Sequence, residues 1–265
     1  MRTVPKERKV SEKFETLLAQ AVQLLQRIES ILPQPLSAPD WNAAIAWRYR
    51  KRSSGHGVLE PVRHIAAIAL DDLKEIEPQK EKIQRNTLQF VQGHPANNVL
   101  LTGARGTGKS SLIKACLNTY ASQGLRLLEV DKADLVDLPD IVDVCAGRPE
   151  KFMVFCDDLS FEEGEAGYKA LKSILDGSVA AAAPNVLIYA TSNRRHLLPE
   201  YMKENLTYTH TADGEVHPGE VVEEKISLSE RFGLWVSFYP FTQDEYLAIT
   251  AQWLSSFDVA PTAIA

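Results

Sequence analysis

Between an apolar run, Val99-Leu100-Leu101, and an amphipathic one, Leu112-Ile113-Lys114-Ala115-Cys116-Leu117, the chain carries Gly103-Ala104-Arg105-Gly106-Thr107-Gly108-Lys109-Ser110. No other stretch constrains the fold as strongly. The apolar run reads as a buried strand and the amphipathic run as a helix, so the spacing predicts a strand–loop–helix unit. Glycines at the first and sixth places let backbone N–H groups turn inward around an anion, and the N-terminus of the following helix adds its partial positive charge. A glycine-rich turn that matches by chance is the plain alternative, and the two flanks argue against it.

The chemistry expected of such a loop is phosphate binding. The backbone from Gly103 to Ser111 would line the phosphates, through Gly103, Ala104, Arg105, Gly106, Thr107, Gly108, Lys109, Ser110 and Ser111. Lys109 would reach the β- and γ-phosphates, and the Ser110 hydroxyl would ligate Mg²⁺. The expected ligand is a purine nucleoside triphosphate, ATP, with Mg²⁺.

Three further segments bear on the same site. Phe152-Met153-Val154-Phe155-Cys156-Asp157-Asp158 is a buried strand ending in two carboxylates, an expensive placement unless they meet a cation or donors. Asp157 is expected in the Mg²⁺ shell and Asp158 beside the γ-phosphate, orienting a water. The alternative is a pair of solvated turn residues capping the next helix. Val186–Ala190, another buried strand, runs into Thr191-Ser192-Asn193, where Asn193 could hydrogen-bond the attacking water or the γ-phosphate or simply form a turn. Leu228-Ser229-Glu230-Arg231-Phe232-Gly233 precedes a fifth apolar run, Leu234–Phe238. Arg231 reads either as a surface ion pair or as a cation serving a neighbouring subunit's γ-phosphate.

Along the chain, Ser11–Leu32 has apolar residues at helical spacing, and Pro33, Pro35 and Pro39 end it. Trp41–Tyr49 reads as a short aromatic helix, and Ser53-Ser54-Gly55-His56-Gly57 as a flexible joint. Residues 1–60 are therefore expected to form a helical N-terminal appendage, and 61–265 the core. A helix is expected from Asp71 to about Val91. Strands at Asn98–Leu101, Arg126–Val130, Phe152–Cys156, Val186–Ala190 and Leu234–Phe238 then alternate with helices at Lys109–Ala121, Leu135–Ala146 and Ala166–Asp176. Alternation of this kind predicts an α/β fold with a parallel sheet covered on both faces. Tyr208–Glu224 reads as an exposed polar insertion, and Thr242-Gln243-Asp244-Glu245 as a capping box opening a last helix.

Composition narrows the class. The 265 residues are 45% hydrophobic and 24% charged, with a net charge of −6, which argues against a protein that coats nucleic acid as a whole. Cys116, Cys145 and Cys156 are odd in number and far apart, so neither a disulfide framework nor a zinc site is expected, and a reducing cytoplasm fits. The N-terminus lacks the apolar stretch of a signal peptide, and no run is long enough to span a membrane.

Taken together, the loop, the acidic strand end, the polar residues of the next strand and the Arg-Phe-Gly before the last strand resemble the AAA+ ATPases. Leu70-Asp71-Asp72-Leu73 with Gln79-Lys80 is similar to the segment those proteins place near the adenine. More narrowly, Asn97–Gly103, Phe155–Glu162 and Leu228–Leu234 resemble a bacterial domain-of-unknown-function family of AAA+ ATP-binding proteins. The resemblance covers roughly Pro61–Trp253. It implies a P-loop three-layer fold with a five-stranded parallel sheet of order 5-1-4-3-2 and a helical lid. It further implies Mg²⁺ at Asp157, water activation at Asp158, a sensor at Asn193, and Arg231 as an arginine finger acting between subunits of a homo-oligomer. Two departures are expected to matter. The water-activating residue is usually Glu, one methylene longer than Asp158, so hydrolysis is expected to be slow or helped by Glu162 or Glu163. The lid after Trp253 is expected to be truncated, which leaves its phosphate-sensing arginine without a candidate.

Four functions fit to different degrees. The first is ATP hydrolysis coupled to remodelling or loading of a macromolecular partner, bound through the N-terminal appendage. The second is a nucleotide-dependent switch with little turnover. The third is a small-metabolite kinase, disfavoured because the acidic 208–224 insertion lacks arginines. The fourth is a DNA-associated loader, with the Arg48–Arg52 run and its interleaved Trp47 and Tyr49 touching nucleic acid.

Overall fold

The computed structural model describes residues 6–29, 36–52, 55, 57–162, 165–176, 183–194, 197, 209–210, 216–217 and 228–257. In chain order the elements are α1 (Lys6–Glu29), β1 (Ala46–Lys51), β2 (Gly57–Pro61), α2 (Glu77–Val91), β3 (Val99–Gly103), α3 (Lys109–Tyr120), β4 (Leu125–Glu129), α4 (Leu138–Cys145), β5 (Lys151–Cys156), α5 (Ala166–Asp176), β6 (Val186–Ser192), a two-residue ladder β7 (Thr209–His210) and β8 (Val216–His217), β9 (Leu234–Phe238) and α6 (Gln243–Ser256).

The main sheet has seven strands in the order β2-β1-β4-β5-β6-β3-β9. Every pairing in it is parallel except β1 with β2. Counted from the glycine-loop strand β3, the five strands β9-β3-β6-β5-β4 carry the order 5-1-4-3-2 that the AAA+ resemblance implies. The expectation of five strands is corrected to seven: β1 and β2 extend the sheet beyond β4.

Both faces are buried, which is why β5 is apolar at every place from Phe152 to Cys156 rather than at alternate ones. Its Phe152, Val154 and Cys156 join the cluster that holds α4 and α5 through Ile141 and Leu171. Met153 and Phe155 face the opposite cluster, with Ile83 of α2 and Leu112 and Leu117 of α3. A buried polar knot ties α2 to the sheet: the Asn86 side-chain N–H₂ donates to the Tyr189 hydroxyl at 3.0 Å, and Thr87 Oγ1 lies 2.9 Å from the same oxygen. Asn86 also exchanges two hydrogen bonds with the backbone of Asn97, which fixes where the chain enters β3.

Three expectations are corrected here. Trp41–Tyr49 is not a helix, because its last residues form β1. Trp47 and Tyr49 alternate with Arg48 and Arg50, so the aromatics enter the core while Arg48 meets Glu129 at 2.8 Å. The boundary expected near residue 60 therefore cuts through the sheet: Trp47 is fully buried, and β1 pairs with β4. The helix expected from Asp71 is a single turn at Leu70–Asp72, with α2 starting only at Glu77, after Glu75 at φ 63° and with Pro78 in the first turn.

Elsewhere α1 runs as the spacing expects and exposes its stripe, including Phe14, Leu17, Leu24 and Leu25. Ser53, Ser54, His56 and Glu163 lie outside the described residues, as does most of the 208–224 insertion. Among the described residues no helix is long and apolar enough to cross a membrane.

Candidate functional site

The site begins where β3 ends. Val99, Leu100, Leu101 and Thr102 are buried, and Gly103 follows at φ 129°. A Cβ there would stand 1.8 Å from the Phe238 carbonyl oxygen, so only glycine lets the loop leave β3 alongside β9. Gly106 and Gly108 take φ values of 76° and 87°, the left-handed region open to glycine, and Gly108 caps the N-terminus of α3. Thr107 Oγ1 donates to the Ala104 carbonyl at 2.8 Å and closes the loop on itself.

Lys109, the first residue of α3, is buried and points back into this loop. Its ammonium donates to the Gly103 carbonyl at 2.8 Å, the Ala104 carbonyl at 2.7 Å and Asn193 Oδ1 at 3.1 Å. Burial lowers its pKa from the ordinary value, Asp157 and Asp158 oppose that shift, and Arg105 adds to it.

β5 and β6 bring the carboxylates to the same place. Ser110 Oγ donates to Asp157 Oδ1 at 2.6 Å, and Thr191 Oγ1 donates to the same oxygen at 2.5 Å. The Thr191 hydroxyl also accepts from the Asp158 N–H at 2.8 Å. Asn193 bridges the cluster, its N–H₂ donating to Asp158 Oδ1 at 2.5 Å while its carbonyl accepts from Lys109. Asp158 itself sits at φ 50°, a left-handed conformation held by these bonds and by Arg105, whose guanidinium lies 3.7 Å from Asp158 Oδ2.

These groups line a cleft of about 420 Å³ that also takes in Asp72, Leu73, Lys74, Ile76, Phe241, Ile249 and Trp253. One half is therefore charged, around the glycine loop, and the other largely apolar. Lys80 shapes the apolar half from behind, donating to the carbonyls of Leu70 at 3.1 Å and Leu73 at 2.8 Å.

Of the residues expected from sequence, Arg105 through Ser111, Asp157, Asp158 and Asn193 all line this cleft. Arg231 does not. Its guanidinium pairs with Asp176 at the end of α5, outside the cleft. Thr191 went unrecognised because its strand runs two residues beyond the expected end at Ala190. Ile249 and Trp253 were missed as well. The lid was expected only after Trp253 and truncated there, and the last helix before it was given no part in the site, yet α6 itself walls the cleft through Ile249 and Trp253. The cation-rich run after Trp47 meets carboxylates of its own chain, Arg50 and Arg52 sharing Glu60 and Lys51 pairing with Asp137.

Comparison with solved structures finds similar folds. Over 72% of this chain and 54% of the other, the R170A form of RuvB from Thermotoga maritima is 17% identical, with a TM-score of 0.47. AMPPCP-bound DnaA from Aquifex aeolicus is 15% identical over 75% of this chain and 59% of that one, with a TM-score of 0.47. The chain thus spans little more than half the length of these proteins. No curated protein matches it in sequence. The family model described as "Protein of unknown function (DUF815)" matches residues 42–263, a span that starts just before β1 and takes in the whole sheet, and the chain belongs to that family.

Proposed function

We propose that this chain binds ATP with Mg²⁺ in the cleft and hydrolyses it. The observation that carries the reading is the single hydrogen-bonded network that links Lys109, Asn193, Asp158, Thr191, Asp157 and Ser110 at the mouth of the glycine loop. The loop's left-handed glycines and the start of α3 suit a phosphate anion. A hard divalent cation takes oxygen ligands, and Ser110 Oγ and Asp157 Oδ1, 2.6 Å apart, are such a pair. These two side chains would hold Mg²⁺ beside the phosphates. The purine belongs in the apolar half, against Leu73, Ile76, Ile249 and Trp253.

In this arrangement Lys109 turns from the loop carbonyls to the β- and γ-phosphates. Mg²⁺, once bound, supplies charge neutralisation across the phosphates. Asp158 takes the proton side of the attacking water, and Asn193 holds Asp158 in line with Lys109. Steady-state phosphate release tests this. Turnover above that of Lys109→Ala supports hydrolysis, and equal rates for the two proteins sink it.

One observation favours a slower, switch-like cycle. Asp158 is engaged on three sides, by Thr191, Asn193 and Arg105, and its carboxylate is a methylene shorter than Glu. Coupling of the nucleotide cycle to a macromolecular partner is the further proposal, with the exposed apolar stripe of α1 as the partner-facing surface. Homo-oligomerisation with Arg231 acting in trans is proposed on the same terms, because Arg231 lies outside the cleft of its own chain. Mixing Arg231→Ala with Lys109→Ala subunits restores activity at hybrid interfaces if Arg231 acts in trans, and restores none if it does not.

A further inference from the structure

The glycine loop carries a cation that phosphate binding by backbone N–H groups does not require. Arg105 stands at the loop's third place, with its side chain 82% exposed and its guanidinium 3.7 Å from Asp158 Oδ2. That separation is too long for a hydrogen bond, and an ion pair between two exposed groups exchanges readily for a better anion. Arg105 is also near enough to Lys109 to disfavour its charged form. Two like charges on one loop are best relieved by an anion that both can reach.

The rest of the cleft does not supply an equivalent group. Its side-chain cations are Lys74, Arg105 and Lys109, and Lys74 lies between Leu73 and Ile76 in the apolar half. α6, the opposite wall, contains no Lys or Arg in Gln243–Ser256. Arg231 is engaged by Asp176 away from the cleft. Among the described residues that line the cleft, only Arg105 sets an exposed guanidinium beside Asp158, where the terminal phosphate is to be attacked.

We propose that Arg105 is a ligand of the γ-phosphate within its own chain and gives the site its preference for a triphosphate over a diphosphate. The inference rests on the nucleotide reading above. The planar guanidinium matches two phosphate oxygens, so it leaves Asp158 for the stronger acceptor. Its departure frees Asp158 Oδ2, while Asn193 keeps Oδ1 and Thr191 the backbone N–H, so that oxygen is open to water only when a triphosphate is bound. With a diphosphate the Arg105–Asp158 pair stays in place.

The test is calorimetric titration of the full chain with ATP and with ADP, each with Mg²⁺, for the wild type, Arg105→Ala and Arg105→Lys. Loss of a charge-assisted bond to the γ-phosphate weakens ATP binding by about tenfold or more in Arg105→Ala. ADP affinity stays within about twofold, and Arg105→Lys falls between, because a point charge replaces the fork. Equal loss for ATP and ADP would show that Arg105 only shapes the loop, and no loss for either would show that it binds nothing; both overturn the proposal. A wild type that binds ADP tightly but ATP no better also overturns it while leaving the nucleotide site standing. A wild type that binds neither removes the nucleotide reading itself.

Discussion

Replacing Thr191 by valine isolates the hydroxyl that joins the Asp157 carboxylate to the Asp158 backbone in the cleft. The side chain is 2% exposed, so water cannot easily take the place of what is removed. Valine keeps the shape and loses two hydrogen bonds: the donation to Asp157 Oδ1 at 2.5 Å and the acceptance from the Asp158 N–H at 2.8 Å. Asp157 is exposed and keeps Ser110, so its loss is at the low end, about 1 kcal/mol. The Asp158 N–H has no such substitute and adds about 1–3 kcal/mol of unmet desolvation, with the residue already at φ 50°. The sum, about 2–4 kcal/mol, lowers the melting temperature by roughly 5–15 °C for a chain of this size. Thr191→Ser retains both bonds and melts within about 4 °C of the wild type, losing only a buried methyl. Circular-dichroism melts without nucleotide read the stability. Titration of nucleotide binding against Mg²⁺ reads the function, which moves to higher Mg²⁺ in the valine form and not in the serine form. If valine and serine melt alike, or if the valine form keeps the wild-type Mg²⁺ dependence, the hydroxyl does not organise the pair.

Three further outcomes follow from the geometry. Gly103→Ala pushes a Cβ to 1.8 Å from a backbone oxygen of β9 and prevents stable folding, whereas Gly106→Ala meets nothing within 4 Å and loses only about 1–2 kcal/mol from its φ of 76°, as paired chemical-denaturation curves will read. Trp253→Ala, which removes an aromatic from the apolar half of the cleft, weakens ATP and ADP alike by about tenfold or more, and fluorescence titration detecting loss for one nucleotide alone argues against a base-facing role. Phosphates bound beside Lys109 raise its pKa, while burial lowers it in the empty protein. ATP affinity is therefore constant below the lowered value and falls as pH rises through it, below the ordinary value of 10.5, a loss that Lys109→Arg shifts to higher pH.

The five strands β9-β3-β6-β5-β4 and the charged half of the cleft were legible because strong local signals specify them. Val99–Leu101 and Phe152–Cys156 are buried on both sides and read as apolar runs, and the left-handed places of the loop demand glycine whatever surrounds them. β1 was not read because Trp41-Asn42-Ala43-Ala44-Ile45-Ala46-Trp47 mixes apolar residues without a clear period. The alternation of Trp47-Arg48-Tyr49-Arg50 lasts only four residues before the hairpin turns. Arg48 and Lys51 read as surface cations because their partners, Glu129 and Asp137, lie more than 80 residues away. The apolar half of the cleft was hidden for a different reason. α6 leaves Tyr246 and Leu247 exposed as well as turning Ile249 and Trp253 to the cleft, so its sequence does not declare which side is covered. Thr191 was masked by its neighbour: Asn193 drew the functional reading, while the hydroxyl that bonds the Asp157 carboxylate and the Asp158 N–H looked like the end of a strand.

The nucleotide site itself is tested most directly by calorimetric titration of the full chain with Mg²⁺ and ATP, beside Lys109→Ala at the same concentrations. The geometry of the loop, Lys109 and the Ser110–Asp157 pair predicts one site per chain in the wild type. It further predicts a loss of about tenfold or more in affinity for the alanine form, from removal of a charge-assisted phosphate contact. No heat of binding in the wild type, or equal affinity in the two proteins, contradicts it.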